Sequence, residues 1–198
     1  INPEDVEWNN GIISNPNCTT IISLVAINAI NKLSKIEGIY ASSYQATSGA
    51  GAAGPVEMYD QSEAVLKARA AGGEGNSYGA DIDPKVFQYQ IAYNVIPQIG
   101  GFGENLYSSE EMKLQNEGRK IMHLPDLKVS CTCVRVPVER SHAVSINVIT
   151  EKELDLAVVR AAIKDAPGCR LYDEPSKKIY PMPILTSNQD TVYVGRIR

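Results

Sequence analysis

Cys18 lies in the segment Ser14-Asn15-Pro16-Asn17-Cys18-Thr19-Thr20, a Pro-containing turn that runs straight into a long apolar stretch. A thiol at a helix start meets free backbone N–H groups and the positive end of the helix dipole. Both favour a thiolate, and such sites lower a cysteine pKa from about 8.5 to roughly 3.5–7.5. The same N–H groups could hold the oxyanion formed when sulfur attacks a carbonyl. The plainer alternative is a small buried cysteine in a cap. His142 ends the run Arg135-Val136-Pro137-Val138-Glu139-Arg140-Ser141-His142, at the edge of a tight strand connection. From there an imidazole can reach a cleft and move protons near neutral pH, or serve only as a hydrogen-bonded structural histidine. Arg135 falls among valines on a strand. A buried guanidinium needs a carboxylate, and an anionic substrate is one way to supply it. Glu110 and Lys113 share a helix face at i, i+3, which by itself describes a surface ion pair worth roughly a few tenths of a kcal/mol.

Other candidates carry less. Cys131 and Cys133 alternate with Thr132 on a strand and point to one face, where the neighbourhood lacks further metal ligands and core packing is the better account. No metal site is expected. Cys169 carries no functional expectation, and His123 reads as surface. Gly49-Ala50-Gly51-Ala52-Ala53-Gly54 fits the letter of a dinucleotide-binding fingerprint, with a strand before it and a helix after it. A Rossmann site also needs a second buried parallel strand with an acid about twenty residues on. Glu74 instead falls in a polar glycine loop, so the run reads as a decoy, or as a loop that lets backbone approach a ligand.

Residues 21–33 are apolar nearly all round and too long for one strand, which predicts a buried helix after Cys18. A short strand ending at Ile12 and Ile13 precedes the turn, and residues 36–46 form a strand leading into the glycine run. Residues 56–71 form a helix closed by Gly72-Gly73, followed by a loop to Pro84. Residues 87–99 read as a strand. Ser108 to Glu111 has capping-box spacing and opens a helix running towards Met122. Residues 128–149 form two strands joined around Glu139 to Ser141. Thr150 to Glu153 repeats the box and starts a helix stopped by Pro167-Gly168, and short strands finish the chain. Hairpins with helices interspersed irregularly argue for an α+β layer: a mixed, largely antiparallel sheet with helices packed on it.

The 198 residues suit one domain, and 23 acids against 19 Lys and Arg leave no basic footprint for nucleic acid. There is no apolar run long enough to span a membrane and no secretory signal, so a cytoplasmic protein with reduced thiols is expected. An initial Ile and an abrupt final strand suggest a piece cut from a longer chain at both ends.

Together these motifs resemble one family, aspartate-semialdehyde dehydrogenase. The resemblance rests on Ser14 to Thr20, Tyr44-Gln45-Ala46-Thr47-Ser48-Gly49-Ala50-Gly51, Glu110-Glu111-Met112-Lys113 with Lys120-Ile121, Arg135-Val136-Pro137-Val138 followed by Ser141-His142, and Val194 to Arg198. It runs over essentially the whole chain in the family's order. Many members carry glycine where Ser141 stands. The resemblance implies a catalytic and dimerisation domain over residues 1–198, like the C-terminal domain of glyceraldehyde-3-phosphate dehydrogenase. The family's N-terminal dinucleotide-binding domain and C-terminal helix would lie outside this chain. It also implies NADPH-dependent reductive dephosphorylation of L-aspartyl-4-phosphate to the semialdehyde, in biosynthesis of lysine, threonine, methionine and isoleucine. By the same resemblance Cys18 is the nucleophile, His142 the acid/base, and Gln45 a support for the thioester. Arg135 and Glu110 would grip the substrate carboxylate and ammonium, Lys113 and Asn17 the phosphate, and Ser48 and Gly49 would lie near the nicotinamide of NADP. A homodimer or dimer of dimers is expected. Two alternatives stand beside this reading: a catalytically idle dimerisation module, and the related N-acetyl-glutamyl-phosphate reductase.

Overall fold

The computed structural model describes residues 1–198. The apolar stretch after Cys18 forms helix α1 (Cys18–Asn31), opened by Asn17, whose side-chain oxygen accepts from the N–H groups of Thr19 and Thr20. Leu24 and Ile27 of α1 are fully buried, each worth about 1.5–3 kcal/mol relative to exposure. They meet Ile36, Ile39 and Ala41 of β1 (Ile36–Gln45), the centre of a three-stranded sheet. On one side β1 pairs in parallel with β2 (Lys128–Arg135), in a register that sets Gln45 opposite Arg135. On the other it pairs antiparallel with β3 (Ala143–Thr150), which sets Tyr44 opposite Ala143. One end of the sheet therefore collects Gln45, Arg135 and the residue after His142.

Between β1 and β2 run α2 (Ala53–Ala70) and α3 (Ser109–Ile121). Helix α3 buries Leu114 and Gly118, and Gly118 gives Leu127 and Leu24 room to approach. A smaller layer follows β3. Helix α4 (Leu156–Asp165) packs on α1, while β4 (Cys169–Leu171) pairs in parallel with β5 (Val192–Val194) beyond the short helix α5 (Pro183–Thr186). Buried Asp173 ties this layer to the chain's last residues by accepting from Arg160 and from the N–H groups of Arg196 and Ile197.

The α+β fold and mixed sheet follow the sequence, but several local expectations are corrected. The two strands of residues 128–149 make no hairpin, because β1 lies between them. Their connection spends its carbonyls elsewhere: Val138 and Glu139 accept from the N–H groups of Thr47 and Ser48. Parallel pairing thus carries half of the main sheet. Residues 87–99 form a loop rather than a strand, touching the sheet only at the Ile96–Arg135 bridge. Side chains of α2 take over the role of a neighbouring strand there. Gln61 accepts from Ile91 and Ala92 N–H, and Glu57 from Lys85, Val86 and Phe87 N–H. Their apolar side chains still go inward, Phe87, Ile91 and Ile96 packing on Met58. Ile12 and Ile13 form no strand and lie 84% and 65% exposed, after a 3-10 turn over Pro3–Trp8. Thr150 does not start a helix; it pairs with Ile36 at the end of β3, and Asp155 caps α4 instead. No helix is long and apolar enough to cross a membrane.

Candidate active site

The capping that starts α1 also fixes its surroundings. While its Oδ1 holds Thr19 and Thr20 N–H, the Asn17 amide nitrogen donates to Glu110 Oε1 at 2.7 Å and lies 3.9 Å from Cys18 Sγ. The Asn17 backbone N–H donates to Glu117 Oε2 at 2.8 Å. The Cys18 loop is thereby fastened to α3 at two points, seven residues apart on one helix face. Cys18 itself stays exposed, at a broad open cleft that Tyr44, Ser48 and His142 also line.

Glu110 is the hub. Buried at the first turn of α3, it accepts from Asn17 and Gln45 through Oε1, and from Lys113 Nζ at 3.2 Å through Oε2. Burial pushes its pKa up, but the hydrogen bonds from Asn17, Lys113 and Gln45 and the Lys113 charge hold it below the usual value. The Glu110–Lys113 spacing is therefore more than a surface pair, because one partner is buried. Gln45, also buried, divides its amide nitrogen between Ser43 Oγ and Glu110.

Arg135 is buried at the end of β2, and Nη1 donates to the Ala46 carbonyl at 2.6 Å while the guanidinium lies 5.9 Å over the Phe87 ring. No carboxylate of the chain is within 4.0 Å of it. Most of its five donors are free for an anion. Burial lowers its pKa, against an opposing pull from the Glu110 charge.

His142 Nδ1 accepts from the Ala46 N–H at 3.0 Å. The ring's proton in the neutral form therefore sits on Nε2, an assignment made from this hydrogen bond. Burial, then the Arg135 charge, lowers its pKa to about 4, so the ring is neutral at pH 7. Between His142 and Arg135 sits Gly49 on an exposed turn. A Cβ there would come within 2.7 Å of Arg135 Nη1 and 3.0 Å of His142 Nε2. Ser141, before His142, holds a left-handed φ of 73° and its hydroxyl meets Thr186 Oγ1 of α5 at 2.6 Å.

One expectation reverses. The Cys18 thiol is pushed up rather than down, first by partial desolvation of the sulfur in an otherwise exposed residue and then by the Glu110 charge, which together outweigh the hydrogen bonds from Thr19 and Cys18. The helix start lowers the pKa through those hydrogen bonds but does not make a thiolate alone, since Asn17 Oδ1 shares the Thr19 N–H and takes that of Thr20. The oxyanion role expected of the whole turn narrows to the Cys18 N–H, the first-turn amide with no acceptor in the chain.

The glycine run shows why its fingerprint misleads. A Cβ on Gly54 would lie 2.2 Å from the Thr47 carbonyl oxygen, so that glycine serves the close packing of α2 on the turn. Cys131 and Cys133 are buried with sulfurs 3.8 Å apart, in the core as expected. His123 is exposed, yet pairs with Asp5 at 2.9 Å. Sequence reasoning missed Glu117, Phe87 and the Ala46 backbone. Glu117 could have been found from its i+7 spacing to Glu110, whereas Ala46 acts only through its peptide groups and leaves no side-chain signal.

A family model described as semialdehyde dehydrogenase, dimerisation domain, matches residues 27–198. The aspartate-semialdehyde dehydrogenase of Bacillus subtilis (strain 168) is 40% identical across the whole chain, which covers 56% of that protein. The crystal structure of aspartate semialdehyde dehydrogenase II from Vibrio cholerae superposes with a TM-score of 0.90 at 37% identity, over 100% of this chain and 56% of that one. The same Vibrio enzyme complexed with ASA gives a TM-score of 0.90 at 36% identity, with the same coverage. The chain thus spans about half the length of the relatives it matches. On this fold, sequence and site geometry, the chain belongs to the semialdehyde dehydrogenase family and carries its dimerisation domain.

Proposed function

We propose that the full-length protein containing this chain converts L-aspartyl-4-phosphate to aspartate semialdehyde and phosphate with NADPH, and that residues 1–198 supply its nucleophile, proton donor and substrate grip. The observation that carries this reading is the buried Arg135 guanidinium with no carboxylate partner, beside the buried carboxylate of Glu110. A zwitterionic amino acid completes both: its carboxylate pairs with Arg135 and its ammonium with Glu110. The acyl end then lies at the cleft mouth with Cys18, where half-exposed Lys113 and the Asn17 amide, whose second hydrogen points to Cys18 Sγ, meet the phosphate.

Cys18 sulfur attacks the acyl carbon, the bond to the phosphate oxygen breaks, and the thiol proton leaves with the phosphate. Gln45 and the Cys18 N–H steady the thioester so formed. Bound NADPH supplies the hydride. Ser48 and Gly49 suit the nicotinamide end, since Ser48 lines the cleft and Gly49, without a side chain, leaves space beside His142. His142 Nε2–H donates a hydrogen bond to the carbonyl oxygen as negative charge gathers there; that oxyanion then collapses to the aldehyde as the C–S bond breaks, and the departing sulfur takes up a proton from solvent at the cleft. With Nδ1 held by Ala46, proton exchange runs through Nε2. The protein works as a homo-oligomer.

Phosphate-dependent oxidation of aspartate semialdehyde by the full-length protein, followed through NADPH absorbance, tests this. Cys18→Ser is expected to lower kcat by about a thousandfold or more; a retained rate overturns the reading. Faster turnover of N-acetyl-glutamyl substrates, which lack an ammonium for Glu110, would move it to that related reductase.

A further inference from the structure

Glu111 follows the hub residue and is itself buried, 7% exposed, yet touches none of the groups given a chemical role. Its Oε2 accepts from the Ser108 N–H at 2.7 Å while its own N–H donates to Ser108 Oγ, which completes the capping box. The box itself uses only one of the two carboxylate oxygens. Here Oε1 crosses to the sheet and accepts from the Cys133 N–H at 2.9 Å. β2 is an edge strand, and Cys133 lies two residues before Arg135 on it. That N–H has no strand to pair with, so the carboxylate serves as the missing neighbour, as the Ile96 carbonyl does for Arg135 N–H at 2.8 Å.

One side chain thus pins the first turn of α3, which carries Glu110 and Lys113, to the strand end that carries Arg135. We infer that Glu111 is a positioning residue that sets the separation between the Glu110 carboxylate and the Arg135 guanidinium, and with it how tightly the site grips the ammonium and carboxylate of an α-amino acid. This rests on the substrate grip proposed above. An amide cannot replace the carboxylate, because it offers a single acceptor oxygen and turns an NH2 group towards one of two N–H donors. The first turn of α3 must then move off β2 or lose its cap.

The test uses the full-length protein and aspartate semialdehyde. Glu111→Gln is expected to raise KM for the semialdehyde tenfold or more while KM for NADP stays within twofold. Ser108→Ala, which loosens the cap but leaves the link to Cys133, is expected to lower Tm with a near-native KM. A Glu111→Gln enzyme with reduced Tm but native KM for the semialdehyde overturns the inference, since Glu111 would then serve stability alone. If Glu111→Gln does not fold, Glu111→Asp keeps both acceptors on a shorter arm: a raised KM for the semialdehyde supports the inference and a native one overturns it. Absence of turnover in the unsubstituted protein would instead remove the proposed reaction itself, and the two failures are thereby told apart.

Discussion

At Cys18 the opposing influences can be separated. Partial desolvation of the sulfur by the atoms packed beside it is the larger cause of its raised pKa, although the residue keeps an open side, and the second cause is a single neighbouring charge, Glu110. An ammonium group docked on that carboxylate would act against the charge, so the thiol would deprotonate more readily with substrate present than without it. This order suits the chemistry, because an exposed thiolate is also the form most open to oxidation. Replacing Glu110 by Gln removes the charge and keeps an acceptor for Asn17. The sign is fixed: without a nearby anion the thiolate costs less, so the pH midpoint for Cys18 alkylation by iodoacetamide is expected to fall in Glu110→Gln. An unchanged or higher midpoint would show that Glu110 does not act on the sulfur. His142 brings no competing titration near neutrality, since its ring stays neutral down to about pH 4, and Arg135 keeps its charge throughout.

At the level of elements, the sequence was readable where a capping box opens a helix. Ser108 with Glu111 opens α3 as their spacing implies, whereas the cap that Asn17 places on α1 emerges only in the structure. The sequence misled where two cap patterns compete. Thr150 to Glu153 has box spacing, but Thr150 is taken by β3, and the helix waits for Asp155, whose carboxylate accepts from Ala157 and Val158 N–H at 2.8 and 3.2 Å. Asp155→Ala is therefore expected to cost about 1 kcal/mol of stability by urea denaturation, while Glu153→Ala costs close to nothing; the reverse order would restore the earlier start. The same competition explains residues 87–99, whose apolar content looked like a strand. Burial was legible there, but not that Glu57 and Gln61 of α2 would satisfy the backbone. At the site, Cys18, Glu110, Arg135 and His142 were legible as chemical types, and their convergence followed once Gln45 paired with Arg135 in the sheet. The direction of the Cys18 shift was not legible, since it depends on how deeply the sulfur sits and on a carboxylate 92 residues away in sequence.

For the molecule as a whole, the two faces of the main sheet differ. α1 and α3 cover one face with Leu24, Ile27 and Leu114. On the other, alternate residues of the central strand, Tyr40 and Tyr44, are 58% and 45% exposed. Their β3 neighbours Ser145, Asn147 and Ile149 are also open, with Asn147 directly opposite Tyr40. A single sheet layer whose second face carries tyrosines among small polar residues has the composition of an interface rather than of a solvated surface. The family's description as a dimerisation domain makes a second copy of the chain the occupant to test. Because β1 is the middle strand, Tyr40 would fall near the centre of such a contact, where truncation or charge costs most. Tyr40→Glu places a carboxylate in that centre, where a desolvated unpaired charge opposes association by several kcal/mol, while its outward position leaves the core of Leu24, Ile39 and Leu127 untouched. Light scattering after size exclusion is expected to show the unsubstituted chain as an oligomer and Tyr40→Glu as a monomer, with thermal unfolding of the monomer still cooperative. If both run at the same oligomeric mass, the contact between copies uses another surface and this face needs a different partner.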